Sequence, residues 1–537
     1  MHNDRAETDA THDVIVVGSG AGALTGALVA AADGLDTVVL ERTPLLGGTS
    51  AYSGAACWLP GTQVQERADL GDSTDAACTY LRALVGDAGA DRREAFLRHA
   101  PELVARLENE PAVAFEWQAF PDYVAAPGRM DAGRSFIPLA LPQEELGDLV
   151  HLVRPAVDRD RAGQGHPDGP LAQGRALIGR LLLAATRTGN ATVRTEHRVT
   201  GLVTENGRVT GVKAETPHGT VTVRARHGVL LAAGGFEGDE ALRAEHGVPG
   251  AAAWSMAPPG ATTGDLLRAA VRIGAATDLT DEAWWCPGTE RPDGTAAFTL
   301  GLRGGIVVDA AGQRFANESL PYDRMGRALA AARTPAHLIF DSRAGGALPA
   351  ITVPPADPAE HLAAGTWARA DSLPELADLI GVPADALTDT VARFNGHAAD
   401  GTDQDHHRGE DPYDRFFADT RNAPGPNPCL VPLDRPPYYA ARVVLSDLGT
   451  KGGLRTDVHA RVLDDAGDPI PGLYAAGNTS ASFTGRVYPG PGVPIGTAMV
   501  FASLAVRDMA LPLPASGIPG GGTDGARSTV TAPSGQD

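Results

Sequence analysis

The run from Asp13 to Gly34 constrains the fold more than any other part of the chain. Val14-Ile15-Val16-Val17 is a β-rich apolar strand, Gly18-Ser19-Gly20 a tight turn, and Ala21 to Ala32 a helix of small residues that stops at Gly34. Gly18, Gly20, Ala21, Gly22 and Ala23 fill the pattern G-x-G-x-x-G/A. Glu41 follows 23 residues after Gly18, at the end of a second strand, Val38-Val39-Leu40. In such a unit the glycines let the backbone turn sharply and approach a pyrophosphate, which rests on the amide end of the helix, while the acid accepts from ribose hydroxyls. Gly520 to Gly525 has the same spacing but follows Pro and Ser rather than a strand, so it lacks the context.

From Thr200 to Gly234 the pattern changes to short strands, with a hairpin signal at Asn206-Gly207, a turn around Pro217-His218-Gly219 and a closing strand Gly228-Val229-Leu230-Leu231. Leu300 to Ala316 reads as a second hairpin and Pro374 to Phe394 as a helix. The chain returns through Tyr438 to Asp457 to a last strand-turn-helix unit, Gly472 to Gly477 and Gly496 to Met509. The expected fold class is α/β. A Rossmann-like domain is built from both chain ends, 11–283 and 441–511, around an inserted α+β catalytic (capping) domain at 284–440; the Gly, Ser, Thr and Pro-rich stretch 512–537 is expected to be a disordered tail.

A formal net charge of -21 disfavours nucleic acid and anionic membrane as partners. No stretch approaches the ~20 apolar residues of a transmembrane helix, and Met1 to Asp13 has no apolar signal-peptide core, so the cytoplasm is the expected location. Cys57, Cys78, Cys286 and Cys429 lack disulfide or zinc-finger spacing and are expected to be reduced. Asp403-Gln404-Asp405-His406-His407 gathers ligating residue types, but in a Gly/Asp-rich loop a solvated face is the ordinary outcome, and no metal is expected.

Glu41-Arg42 leads to Gly47-Gly48-Thr49-Ser50, and two later turns, Ala233-Gly234-Gly235 and Ala476-Gly477-Asn478, come back to the same sheet edge. A nicotinamide dehydrogenase does not need these, so they point to FAD. Across roughly residues 13 to 510 the chain resembles the flavoprotein family of fumarate reductases and 3-ketosteroid dehydrogenases. The resemblance rests on Glu41 with Gly47-Gly48, Thr263-Gly264-Asp265, Arg314-Phe315-x-Asn317-Glu318, Gly452-Gly453 and Gly472-Leu473-Tyr474-Ala475-Ala476-Gly477. It implies further cofactor contacts from Asp265, Asn478, Pro494 and Ile495, and a last helix aiming its positive end at the flavin. No His lies between Gly47 and Gly54, so FAD is expected to be held non-covalently.

Thr484-Gly485-Arg486-Val487-Tyr488-Pro489-Gly490-Pro491-Gly492 indicates the branch. Dicarboxylate reductases carry there a pattern like H-G-x-N-R-x-G-G, whose His and Arg grip carboxylates; here Thr484 and Tyr488 stand in their places. A phenol suits a neutral carbonyl better than a carboxylate. Arg486 lies close by and leaves a carboxylate open. The Tyr-Pro-Gly-Pro-Gly run is similar to the 3-ketosteroid dehydrogenases, which implies that Tyr488 and the Gly492 amide hold a 3-keto oxygen. It also implies that Tyr322, after Asn317-Glu318-Ser319, removes the ring proton, assisted by Tyr123.

The expected reaction is therefore FAD-dependent introduction of a C=C bond beside a ring ketone, on an apolar ketone such as a 3-ketosteroid, with a quinone or another acceptor taking the electrons. A free phenol has a pKa of ~10, so Tyr322 needs either a depressed pKa or a relay through Tyr123. The alternatives are a desaturase or ene-reductase of the same fold acting on the 4,5 position or on a non-steroid cyclic enone, and an electron-transfer protein without a substrate of its own. The span from Val124 to Leu171 matches little in the family and is expected to help wall the substrate cleft.

Overall fold

In the computed structural model, which describes residues 10–418 and 425–511, Val14 to Val17 end the strand Ala10–Val17 with all four side chains buried. A strand apolar on both faces belongs inside a parallel sheet. It pairs in parallel with Thr37–Leu40 on one side and Gly219–Leu231 on the other. Gly18 turns the chain at φ +105°, and a Cβ there would lie 2.3 Å from the Ala232 carbonyl oxygen, so the turn requires glycine. Helix Ala21–Ala32 then packs its small side chains between helices Gln173–Arg187 and Val493–Met509.

The first sheet runs Arg461–Leu463, Pro469–Ala475, Gly219–Leu231, Ala10–Val17, Thr37–Leu40, Ala191–Arg194, and is parallel except for its first pair. The meander Arg198–Glu205 and Arg208–Thr216 hangs from Gly219–Leu231; Glu205 faces Arg208 across Asn206-Gly207, both at positive φ. Strands from both chain ends thus share one sheet. The second sheet is antiparallel, in the order Ile306–Val308, Ala336–Asp341, Tyr438–Thr450, Ala283–Glu290, Ala296–Leu300, Ile351–Val353, with Trp367–Ala370 also on Tyr438–Thr450. Among the described residues no helix is long and apolar enough to cross a membrane, and all four cysteines are free thiols.

Three expectations need correcting. The boundary at 441 falls inside the strand Tyr438–Thr450, the centre of the second sheet, so the chain returns to the first sheet only at Arg461–Leu463. Leu300 to Ala316 is not one hairpin: Ala296–Leu300 pairs with Ile351–Val353, Ile306–Val308 pairs with Ala336–Asp341, and only a tight turn joins Val308 to Arg314. The helix from Pro374 to Phe394 is two helices, Leu373–Ile380 and Ala384–Asp400, because Gly381 ends the first at φ +73° and Pro383 opens the second. The stretch 512–537 lies outside the described residues.

Candidate active site

One cavity of about 710 Å³ runs from the Gly18 turn to the junction of the two sheets. Of the residues singled out in the sequence, Gly18, Gly20, Ala21, Gly22, Ala23, Glu41, Arg42, Gly48, Thr49, Ser50, Ala233, Gly234, Asp265, Tyr322, Gly477, Asn478, Tyr488, Gly492, Pro494 and Ile495 all line it. Gly47 and Tyr123 do not line it; they stand behind its wall, Gly47 donating its amide to Ser19 Oγ at 2.9 Å.

At the first end, helix Ala21–Ala32 opens on Gly20 with no side-chain cap and no acid in its first turn. Among the described residues only the Ser50 Oγ side chain meets these amides, accepting from Ala21 at 3.2 Å. This leaves a positive helix end facing the cavity. Glu41 accepts from the Ser19 hydroxyl at 2.6 Å and the Thr43 amide at 2.9 Å, which leaves a carboxylate acceptor capacity for a ribose hydroxyl. Positions where Cβ atoms of Gly48 and Gly54 would project are open, and the buried Thr262 hydroxyl on the same wall has no hydrogen-bond partner among the described residues. Uncapped amides, an acid and an unpartnered hydroxyl along one trough fit a dinucleotide. Arg42 is bonded to Thr263 Oγ1 at 2.6 Å and approaches Asp265, which also pairs with Arg198, so Asp265 acts there as an ion-pair partner. Glu237 lines the cavity between the two ends; burial, with Asp447 adding to it, pushes its carboxyl up to about 7.

At the other end, Tyr322 opens helix Tyr322–Ala331 directly after Pro321, and the residues before it are pinned by buried charge. Arg314 grips Glu318 with two bonds of 2.9 and 2.8 Å, Arg408 donates to Glu318 at 3.1 Å and to Ser319 Oγ at 3.1 Å, and Asn317 donates to Asp414 at 2.9 Å. The R-F-x-N-E motif is thus the scaffold of Tyr322. Its hydroxyl donates to the Tyr488 oxygen at 2.8 Å, and the Gly492 amide faces the same Tyr488 oxygen. Gly492 sits at φ +88°, and a Cβ there would meet the Ala56 oxygen at 2.0 Å. The loop from Tyr488 to Gly492 is held by distant residues: the Tyr80 hydroxyl and Tyr123 amide donate to the Pro489 oxygen at 2.7 and 2.9 Å, and Ser135 Oγ donates to the Pro491 oxygen at 2.6 Å.

Tyr123 lies edge-on to Tyr322 and to Tyr488, each 5.3 Å away between ring centres. It is 1% exposed and its hydroxyl makes no hydrogen bond of ordinary geometry, although it is near enough to Tyr322 for each to influence the other's ionisation. Its neighbour Asp122 accepts from Trp58 Nε1 at 2.8 Å and pairs with Arg134 at 3.0 Å. Burial raises the Tyr322, Tyr488 and Tyr123 hydroxyls above the ordinary phenol value. The surrounding protein thus raises Tyr322 and does not depress it, which favours a relay for its proton.

Phe120, Phe298, Leu300, Ile351, Val353 and Phe416 supply the apolar wall beyond the tyrosines. Val124 to Leu171 contributes only Arg154 to the cavity, contrary to the expectation that it walls the cleft; its strand Ser135–Pro138 backs the Tyr488 loop instead. Arg486 turns away from the cavity and pairs with Asp281 at 2.7 Å and with Glu282, and Thr484 Oγ1 closes a turn onto the Val487 oxygen at 2.9 Å, so neither is placed to grip a carboxylate. Asp403 and Asp405 are engaged by Arg314 and Arg393. Trp284 and Tyr413 also stand against the tyrosines; Trp284 carries no signal in the sequence, and Tyr413, within the family-like run Tyr413-Asp414-Arg415, carries none for this role.

The FAD binding domain family matches residues 13–495. A 3-oxosteroid 1-dehydrogenase of Rhodococcus opacus is 44% identical over 524 residues, 93% of this chain and 98% of the relative. The chain belongs to the 3-ketosteroid dehydrogenase branch of the FAD-binding flavoproteins. Within this branch, the crystal structure of 3-ketosteroid delta1-dehydrogenase from Sterolibacterium denitrificans in complex with 1,4-androstadiene-3,17-dione is 36% identical, with a TM-score of 0.85, covering 93% of this chain and 99% of that one. A 4-oxocyclohexanecarboxylate 2-dehydrogenase of Sinomonas cyclohexanicum is 39% identical over 546 residues, 93% of each chain. This flavoprotein is thus an FAD-dependent oxidoreductase acting on CH–CH groups.

Proposed function

We propose that this flavoprotein desaturates the C1–C2 bond of a 3-ketosteroid, with the 3-keto oxygen between the Tyr488 hydroxyl and the Gly492 amide and Tyr322 as the base. The observation that carries the reading is the meeting of those three groups at one end of an apolar cavity whose other end fits a dinucleotide. Removing a proton from the carbon beside a ketone puts negative charge on the ketone oxygen. Two preorganised donors stabilise that charge, each contributing ~10²–10³ in rate. Tyr488 and Gly492 are those donors.

The Gly18 to Ala23 turn, Glu41 and Ser50 would hold FAD non-covalently, and the flavin would supply the acceptor for the hydride that leaves the next carbon, with a quinone or another acceptor as the final electron sink. Tyr322 takes the α-proton at its hydroxyl oxygen as its own proton passes along its hydrogen bond to the Tyr488 oxygen and the Tyr488 proton passes to the ketone oxygen, with Tyr123 packed edge-on against both rings as the assisting residue. Phe120, Phe298 and Leu300 exclude water from the reacting face. Phe298 and Leu300 lie on one face of a strand, about 7 Å apart, which gives the apolar arm the reach of more than one ring and favours a polycyclic ketone. The likeness to the 4-oxocyclohexanecarboxylate enzyme makes a single-ring ketone the second reading.

The test is a dye-reduction panel of 3-ketosteroids, 4-oxocyclohexanecarboxylate and succinate, followed by two variants. Tyr322→Phe is expected to keep flavin and substrate binding while abolishing dye reduction and exchange of the substrate's α-proton with deuterated solvent. Tyr488→Phe is expected to lower the rate ~10²–10³ while some exchange persists. Turnover above a tenth of wild type in Tyr322→Phe overturns the base assignment, and faster turnover of the single-ring ketone overturns the steroid.

A further inference from the structure

Lys213 and Lys451 are the only lysines in the chain, beside 43 arginines. Lys213 is exposed on the meander, whereas Lys451 is 1% exposed, directly after the strand Tyr438–Thr450. Its Nζ donates to the Val487 carbonyl oxygen at 2.5 Å, one residue before Tyr488, and lies 4.2 Å from the centre of the Trp284 ring. Trp284 in turn stands edge-on to Tyr488, 4.7 Å between ring centres, and donates its Nε1 to Asn478 Oδ1 at 3.0 Å. The Lys451 amide is itself fixed on the Glu282 oxygen at 2.8 Å.

The charges facing Lys451 come from three elements. Helix Tyr322–Ala331 presents Asp323 and Arg327, the residue before strand Ala283–Glu290 is Glu282, and the Tyr488 loop presents Arg486. Arg327 and Arg486 both bond to Glu282. Asp323, next to Tyr322, has one oxygen on Arg327 at 3.1 Å and the other buried without a hydrogen-bond partner. Lys451 therefore lies between the neighbours of both reactive tyrosines. Burial pushes its ammonium down to about 7, with Asp323 resisting. An arginine, which would not lose its proton there, is used almost everywhere else in the chain.

We propose that Lys451 is a positioning residue of the ketone site: it fixes Tyr488 through Val487 and Trp284, and its positive charge stabilises the negative charge that develops on the ketone oxygen and the tyrosine pair. The inference rests on the ketone-site reading above. It accounts for a feature that reading leaves open, which is how three phenols raised by burial work without a cation in contact with them. A charge over the Trp284 ring, which stands edge-on to Tyr488, acts on the ketone end of the cavity without occupying the substrate's place.

The test uses FAD-loaded wild type, Lys451→Gln, Lys451→Met and Lys451→Arg, with kcat and KM on a 3-ketosteroid and absorbance titration of a bound steroid whose A ring is a phenol. Gln keeps a hydrogen-bond donor without the charge, and Met removes both. In Gln and Met, kcat is expected to fall about 10- to 100-fold with KM within about threefold, and the bound phenol to ionise about tenfold less readily. In wild type the charge is present below about pH 7 and lost above it, so Arg is expected to keep its rate on the alkaline side where wild type loses part of its own. A kcat within twofold of wild type in both uncharged variants, or a lower kcat with unchanged phenol ionisation, overturns the inference. Wild type that neither turns over the steroid nor binds the phenol overturns the ketone-site reading itself, and the inference with it.

Discussion

Gly492→Ala tests the ketone site through its backbone, where no side chain can be blamed. The added Cβ would stand 2.0 Å from the Ala56 oxygen, whereas ordinary contact begins at 3.4 Å, so Gly492 or the Ala56–Cys57 segment must move by more than 1 Å. The left-handed φ of +88° adds strain of roughly 1–2 kcal/mol for a residue with a Cβ. Both effects displace the amide that faces the Tyr488 oxygen, and the Trp58 amide that donates to the Gly492 oxygen at 3.3 Å is displaced with it. Loss of one aimed donor costs ~10²–10³ in rate, and a shift of ~1 Å in a reacting geometry is worth a similar ~10². The expected result is a fall of ~10²–10³ in kcat/KM for a 3-ketosteroid by dye reduction. Because Gly492 opens the helix that carries Pro494 and Ile495, flavin content is measured by absorbance alongside, and rates are compared on flavin-loaded enzyme only. Turnover above a third of wild type in flavin-loaded Gly492→Ala refutes the assignment of this amide.

Glu41→Gln is expected to weaken FAD binding by about 1–3 kcal/mol, or roughly 5- to 150-fold in Kd by flavin fluorescence, because an amide replaces a charged acceptor for Ser19 and for the ribose. Asp122→Ala leaves buried Arg134 with Asp72 as its remaining carboxylate partner and is expected to cost about 1–3 kcal/mol in urea unfolding, with loss of activity as the Tyr123 and Tyr488 backbones loosen. Burial works to raise the Glu318 carboxyl, but Arg314 and Arg408 outweigh it and hold it below the usual range. A lowered folded pKa contributes stability above the unfolded value of about 4.3 and loses it as the pH falls through the folded value. Wild type is therefore expected to lose stability steeply below about pH 4, and Glu318→Gln, weaker at pH 7, to lose less over the same range by thermal melting.

The local signals in the sequence translated directly because they concern residues close together in the chain. The Gly18 turn, Glu41 at a strand end and the Asn206-Gly207 hairpin each depend on a few consecutive dihedrals, and each is found where its residues stand. Pairing partners were a different matter. Tyr438–Thr450 is plainly a strand, yet nothing in its alternation says that it pairs with Ala283–Glu290 and Ala336–Asp341 rather than with the first sheet. The same applies to the site. Motif resemblance points to Tyr322, Tyr488 and Gly492, while Trp284 and Lys451, the latter directly before Gly452-Gly453, carry no signal of their own and meet Tyr488 and its loop only when the second sheet folds. Leu373–Ile380 and Ala384–Asp400 were merged because the apolar rhythm continues across Gly381, although its positive φ breaks the helix.

The loop proposed to hold the ketone is fastened by partners far back along the chain: Tyr80 reaches Pro489 across 409 residues and Ser135 reaches Pro491 across 356. On the ribosome, Tyr80 and Ser135 emerge hundreds of residues before the loop they fasten, so its seat waits unfilled while the intervening chain is made. Ordering contacts of that separation is slow, and the waiting surface around Trp58, Phe96 and Tyr80 is apolar. A chain released before Tyr488 leaves that seat uncovered, and premature termination there turns a late-folding enzyme into a sticky one.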